Sequence, residues 1–309
     1  MAQCQFPAAL VAKTSDRALI GKTARAAFGR THRAFLFAFA LAVVFAQLGG
    51  RAQQAPVPPP DALPYQGGYL VTGDYFVSSV DLNKSKTGFV SGTMPVAGVP
   101  QNADIVAAFL YWETISLNNG PHKKASGAWH DPDINPSQKC TSTSGPVCGA
   151  QFRGEPLSVG TAMSYALPGP DKSGNVCWAV PGNPSLKVTM FRADVLRLLP
   201  LQKDPNGNPT GKRLVNNQDL QAAGLAPNKV QLPGAGTTGV VPESGGAGLV
   251  VVYRDPTQPL RKIVFYDGVY VEPPPTAAVP NPTMTQTIQA FYKSAARNAH
   301  ITHLVGTTP

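Results

Sequence analysis

The densest apolar pattern in the chain lies in residues 248–271, GLVVVYRDPTQPLRKIVFYDGVYV. Two runs rich in β-branched and aromatic residues, 249–253 and 263–266, flank a polar segment that contains two prolines. Val, Ile, Tyr and Phe favour strands, whereas Asp-Pro and Gln-Pro end strands and start turns. The pattern therefore predicts two antiparallel strands joined as a β-hairpin. The consecutive valines at 250–252 place apolar side chains on both faces of the first strand, which indicates an interior position.

A second strong strand is predicted over residues 104–115, DIVAAFLYWETI, where alternate positions are apolar on both faces. Weaker strand patterns occur at 68–82, 87–95, 151–153, 158–163, 176–180, 186–191 and 300–305. The pattern of residues 286–295 is compatible with either a helix or a strand, and the all-β setting favours the strand. The 309 residues include 31 Pro and 30 Gly and only 14% are charged, which suits short strands joined by turns. The fold class is predicted to be all-β, a jelly-roll-like β-sandwich with long loops at 117–149 and 201–246.

The N-terminus has the organisation of a secretory signal peptide. Several basic side chains precede an uninterrupted apolar run at 34–46, and Gly50 and Ala52 stand at the −3 and −1 positions of a cleavage site. The apolar run is shorter than the roughly 20 residues that a membrane span needs. Cleavage before Gln53 is therefore favoured over the alternative, an uncleaved segment that anchors the protein in a membrane.

These features divide the chain into a signal peptide at 1–52, a proline-rich linker at 53–66 and a β-sandwich domain at 67–309. Seven of the 26 Lys and Arg side chains and one of the 17 Asp and Glu side chains lie in the signal peptide, so removing it lowers the formal net charge from +9 to +3. The remaining charges are scattered, and no basic stripe predicts nucleic-acid binding.

The mature chain retains three cysteines, Cys140, Cys148 and Cys177. Export permits disulfides, and both Cys140–Cys148 and Cys148–Cys177 are open as pairings, with one thiol left over.

Four segments carry a family resemblance: GVPQNADIVAAFLYW, VTMFRADV, GAGLVVVYRDPTQPLRKIVFYDG and HITHLVG. In this order they resemble a β-rich domain of unknown function from exported bacterial surface proteins, often found ahead of immunoglobulin-like repeat modules. The resemblance covers residues 67–305 and rests on core strands and turns, so it implies a fold and not an activity. In that family the domain continues past the last of these strands. The resemblance therefore implies a domain that is incomplete at its C-terminus or that needs a partner strand.

The polar loop at 117–149 holds the candidate binding residues. Asp131, Asp133 and Asn135 have the alternate spacing that opens a calcium-binding loop, but Pro136 and Ser142 stand where Gly and a bidentate Glu are needed. A cluster of Asx and Pro turns is favoured over a Ca²⁺ site, and no other cofactor is indicated.

Trp129 and His130 lie in the same loop and are the candidate ligand-binding residues, because an exposed aromatic ring can stack on a sugar. Packing of Trp129 onto its own domain is the competing interpretation. Trp112, by contrast, belongs to the strand predicted at 104–115 and is expected in the core.

No pair of acids stands out as a catalytic pair. Asp104 and Glu113 are nine residues apart on one predicted strand, hence about 30 Å apart, too far for glycoside hydrolysis. Asp267 is followed by Gly268 at the end of a strand, and capping of a turn is favoured over a place at the rim of a site.

The expected function is that of a secreted, non-enzymatic module of a bacterial extracellular or cell-surface protein, adhesive or carbohydrate-binding. Its partner would be a cell-surface glycan or protein. A membrane would be involved only through an uncleaved signal segment, and an open sheet edge would favour self-association. The alternative is a secreted hydrolase that acts on polysaccharide, with acids drawn from different strands. Localisation is expected to be secreted or in the cell envelope.

Overall fold

Strands dominate the part of the chain that the structure describes. The structure is a computed structural model and describes residues 5–16, 63–84, 89–117, 150–166, 186–233, 243–269, 285–289 and 299–307, all of which belong to one compact unit. The strands in these ranges are β1 Gln5–Asp16, β2 Tyr65–Asp81, β3 Asn83–Lys84, β4 Phe89–Thr93, β5 Asp104–Leu117, β6 Gln151–Phe152, β7 Glu155–Pro156, β8 Val159–Ala166, β9 Leu186–Asp194, β10 Leu201–Lys203, β11 Pro209–Arg213, β12 Lys229–Pro233, β13 Gly246–Arg254, β14 Leu260–Asp267 and β15 Ala299–Thr307. A 3-10 turn at Leu196–Leu198 and a short α-helix at Asn217–Ala222 accompany them.

Eight strands form one antiparallel sheet in the order β15-β1-β14-β2-β13-β5-β9-β8. A five-stranded sheet, β3-β4-β12-β6-β7, and the hairpin β10-β11 complete the described strands. The all-β prediction is confirmed, and the large sheet is curled into a half-barrel. The jelly-roll-like sandwich, which was the finer part of the prediction, is not confirmed.

The curl is visible in contacts between strands that a flat sheet would keep apart. Strands β2 and β13 lie between β14 and β5, so the backbones of β14 and β5 would be about 14 Å apart in a flat sheet. The ring centroids of Phe109 on β5 and Phe265 on β14 are nevertheless 5.7 Å apart. Leu304 on β15 likewise approaches Gly248 on β13, where an added Cβ would lie 2.9 Å from a Leu304 methyl carbon. The two halves of the sheet therefore face each other across its concave side.

The curl creates two hydrophobic cores. We call the core on the concave side the inner core; its buried members are Val11, Ala107, Tyr111, Met190, Val250, Val252, Ile263 and Phe265. The outer core lies between the other face of β5, β9 and β13 and the five-stranded sheet, and includes Leu110, Trp112, Phe191, Val230, Leu249 and Val251. Successive valines of β13 thus enter different cores, which confirms the prediction that both faces of this strand are buried.

Strands β13 and β14 do not form the predicted hairpin, because β2 lies between them. The N–H of Asp255 donates to the carbonyl of Thr72 at 2.8 Å, and the N–H of Gly73 donates to the carbonyl of Pro259 at 3.4 Å. The carbonyl and the N–H of the 72–73 peptide point to opposite edges of β2, so the connection after β13 crosses over β2 at this peptide. A Cβ on Gly73 would lie 2.0 Å from the carbonyl oxygen of Tyr253, so this close crossing requires glycine.

Further differences from the sequence-based expectations lie in the connections. Residues 201–233, expected as part of a long loop, contain β10, β11, the short helix and β12. Residues 5–16, expected within the signal peptide, form β1, and β2 begins at Tyr65. The apolar run at 34–46 and linker residues 53–62 lie outside the described residues, so cleavage near Gln53 stays a prediction. In the described ranges, no helix is long and apolar enough to cross a membrane.

Candidate functional site

A buried polar cluster lies on the concave side of the sheet. Asp267, the last residue of β14, is fully buried, and its Oδ1 accepts a hydrogen bond of 3.0 Å from the hydroxyl of Tyr111 on β5. Its Oδ2 pairs with the guanidinium of Arg192 on β9. Tyr111 and Arg192 stand opposite each other in the β5–β9 register, so both side chains leave the sheet on the same face. The curl of the sheet then brings Asp267 to them.

Aromatic rings enclose this cluster. The guanidinium of Arg192 lies over the ring of Phe109, 5.3 Å from its centroid, and Phe109 in turn meets Phe265 edge to face. Tyr69 on β2 packs edge to face against Phe265 at 5.8 Å. These rings, together with the full burial of Asp267, leave the ion pair partly desolvated, which strengthens its electrostatic interaction and makes loss of either partner costly.

Burial sets the protonation behaviour of the cluster. Burial raises the pKa of Asp267 to about 6, while Arg192 and the hydroxyl of Tyr111 act in the opposite direction. The carboxylate is therefore ionised at pH 7 and paired with Arg192. Burial, together with the nearby charge of Asp267, raises the pKa of Tyr111 far above its ordinary value, so its hydroxyl remains a hydrogen-bond donor.

Glu113 is a second acid on the same face of β5, two residues beyond Tyr111 and hence about 7 Å along the strand. The residue as a whole retains some exposure, but its Oε1 is buried and has no hydrogen-bond partner among the described residues. Burial raises the pKa of Glu113 to about 8, so this carboxyl group holds its proton at pH 7. A neutral buried acid can donate a proton, which distinguishes Glu113 from the ionised Asp267.

The two acids have different chemical capacities. Both oxygens of Asp267 are occupied by Tyr111 and Arg192, so the carboxylate acts as a structural link between β14, β5 and β9. This position corrects the expectation that Asp267 caps a turn. Its role depends on the curl of the sheet, which no local sequence signal reports.

The structure describes few of the candidate residues that were identified in the sequence. Trp129, His130, Asp131, Asp133 and Asn135 lie outside the described residues, as do the three cysteines of the mature chain. Within the described ranges, no three His, Cys, Asp or Glu side chains are grouped so as to hold a metal ion.

The remaining sequence-based expectations fall within the described strands. Trp112 is buried and stacks on Phe191 with centroids 5.2 Å apart, which confirms its place in the core. Asp104 and Glu113 lie on the single strand β5, as predicted, and Asp104 pairs with Arg254.

Comparison of the chain with family models, with curated proteins and with solved structures finds no match. The resemblance to a β-rich domain of exported bacterial proteins therefore stays a prediction based on the four sequence segments.

Glu113 should make the stability of the protein depend on pH. Its pKa in the folded state, about 8, lies above its ordinary value of 4.5, so the folded state binds this proton more tightly than the unfolded state. The free energy of unfolding should therefore fall as pH rises through this window, by at most about 1.4 kcal/mol per pH unit. Glu113→Gln should remove this slope above about pH 7, where Asp267, whose pKa in the folded state is about 6, is mostly ionised in both states.

Urea unfolding at several pH values between about 7 and 8 measures this slope. Glu155→Gln, a change of an exposed glutamate, is the matched control and should keep the slope of the wild-type protein. Equal slopes for the wild-type protein and Glu113→Gln would show that this carboxyl group ionises in the folded state as it does in the unfolded chain.

Proposed function

We propose that the chain is an exported, non-enzymatic β-domain of a bacterial extracellular or cell-surface protein, which acts by binding a surface glycan or protein. The observation that supports this proposal best is that the carboxylate of Asp267 contacts other core residues of the same domain. Both oxygens of this fully buried carboxylate hold strands together and are shielded from solvent. This buried ion pair therefore serves the fold.

Export is supported by the sequence of residues 1–52, with basic side chains, a short apolar run and small residues at a cleavage site. The binding part of the proposal rests on Trp129 and His130 in the polar loop, where an aromatic ring and an imidazole stand side by side in the sequence. An aromatic ring offers stacking area to a sugar at low entropic cost.

A polysaccharide hydrolase is the second candidate, and one observation favours it. Glu113 carries a proton at pH 7 in a buried setting, the state that a general acid requires. The second carboxylate of such an enzyme would have to come from outside the cluster described above, because Asp267 is already engaged by Tyr111 and Arg192.

Export predicts a mature N-terminus near Gln53. Expression in a bacterial host and mass spectrometry of the exported protein should give a chain that begins there. A variant with Phe37→Asp in the apolar run should remain unprocessed in the cytoplasm, because a charge in this run blocks its insertion. An exported or membrane-bound protein that retains residues 1–52 would contradict the cleavage.

A panel of insoluble polysaccharides separates the two functions. The proposed binding module should be depleted from solution by one or more of them without release of reducing ends, and Trp129→Ala should weaken the depletion. Release of reducing ends by the wild-type protein, lost in Glu113→Gln, would establish the hydrolase instead. Thr72→Ala, an exposed change on β2, controls for general effects of mutation.

A further inference from the structure

Strand β1 occupies an interior place in the large sheet although it precedes the rest of the domain by a long stretch of chain. It pairs antiparallel with β14 from Asp16↔Leu260 to Ala9↔Asp267, and with β15 on its other edge. Among the described strands, β15 pairs with β1 alone. The place of β15 in the sheet therefore depends on the presence of β1.

Side chains fix β1 in its place. Val11 is fully buried in the inner core. Lys13 donates to the carboxylate of Asp74 on β2 at 2.7 Å from Oδ1, and its ammonium group lies 5.2 Å from the ring centroid of Tyr75. The hydroxyl of Tyr75 is 2.8 Å from that of Thr302 on β15. Because Asp74 is only 14% exposed, its pairing with Lys13 is partly desolvated and selects for a cation at this position.

Export would separate β1 from the domain. Basic residues ahead of an apolar segment stay on the cytoplasmic side of a membrane while the chain beyond the segment is translocated. Residues 5–16 precede the apolar run at 34–46, and the rest of the sheet follows it. Both can join one sheet only while they are on the same side of a membrane, so the exported domain would lack β1.

Loss of β1 would leave a strand-shaped slot. The backbone N–H and C=O groups of β14 that face β1 would lose their partners, and Asp74 would retain Arg261, at 3.4 Å, as its charged neighbour. An edge of this kind is a template for another strand. Strand β15 is a poor substitute, because it runs antiparallel to β1 and would meet β14 in the parallel direction. Every ladder of the large sheet is antiparallel.

We propose that this slot along β14 is a strand-acceptor site, filled by residues 5–16 in the full-length chain and by an extended segment of a partner protein after export, with β15 pairing on the other edge of the segment that fills it. The proposal rests on the export proposed above. The partner segment has the chemistry of β1: an aliphatic side chain at the position of Val11 and a Lys or Arg two residues later. The chain itself supplies no such segment near the new N-terminus, because residues 53–66 are rich in proline, which cannot donate to a ladder.

The test uses the full-length chain, folded first and then cut at a protease site inserted within residues 53–60. The probe is a fluorescent synthetic peptide of residues 5–16, and its binding is followed by fluorescence anisotropy. The cut protein should exchange its own N-terminal fragment for one equivalent of peptide. The uncut protein should bind far less, because its tethered β1 competes at an effective concentration on the order of millimolar.

Peptide variants test the chemistry of the slot. The Lys13→Met peptide should bind about tenfold more weakly than the unchanged peptide, the loss expected for one charge-assisted hydrogen-bonded pair. The Val11→Asp peptide should not bind, because it places a charge in the inner core. In a cut protein that carries Asp74→Asn, the unchanged peptide and the Lys13→Met peptide should bind alike.

Two results would overturn the proposal. In the first, the cut protein releases its N-terminal fragment, still melts cooperatively and binds no peptide, which would mean that the slot has closed. In the second, the cut protein forms oligomers that excess peptide does not dissociate, which would make a second copy the occupant. If the peptide binds but the exported protein retains residues 1–52, the export proposal fails while the strand-acceptor site stands.

Discussion

The fold depends on β2, the strand that both halves of the large sheet share. Its first half pairs with β14 and its second half with β13, and the connection between these two strands crosses β2 at the 72–73 peptide. Only glycine at position 73 leaves room for the carbonyl of Tyr253. Because β13 and β14 are tied to opposite edges of one strand, the sheet cannot separate into two independent layers. The curl and the inner core follow from this shared strand.

The curl of the sheet also brings together the residues of the polar cluster. Tyr111 and Arg192 come from one half of the sheet and Asp267 from the other, and the ring of Phe109 packs against Arg192. A buried ion pair adds little net stability relative to an apolar substitute, but breaking it leaves an uncompensated charge. The cluster therefore specifies how the two halves meet. Glu113 lies outside this network, and its buried Oε1 has no hydrogen-bond partner among the described residues.

Local sequence patterns predicted where the strands lie in the chain far better than which strands pair with each other. The burial of the valines at 250–252 and the strand at 104–115 were predicted correctly. Successive residues of a strand point to opposite faces of the sheet, so apolar residues at adjacent positions indicate directly that both faces are buried. The prediction of a hairpin was wrong. A short connection that contains prolines can cross over another strand, here β2, as readily as it can turn back to an adjacent strand. Strand β1 was missed because it lies in the N-terminal segment whose basic residues and following apolar run match a signal peptide. The contact of Tyr111 with Asp267 joins residues far apart in the chain and depends on the curl, so no local signal reports it.

The curl of the sheet requires β5 and β14 to meet on the concave side, and a double-mutant cycle measures this contact. Tyr111→Phe, Asp267→Asn and the double variant would be compared by their free energies of unfolding in urea. We expect a coupling of about 0.5–3 kcal/mol, because the hydroxyl of Tyr111 and the carboxylate of Asp267 are 3.0 Å apart. Additive effects, within about 0.3 kcal/mol, would mean that the two side chains do not touch and that the sheet is not curled in this way.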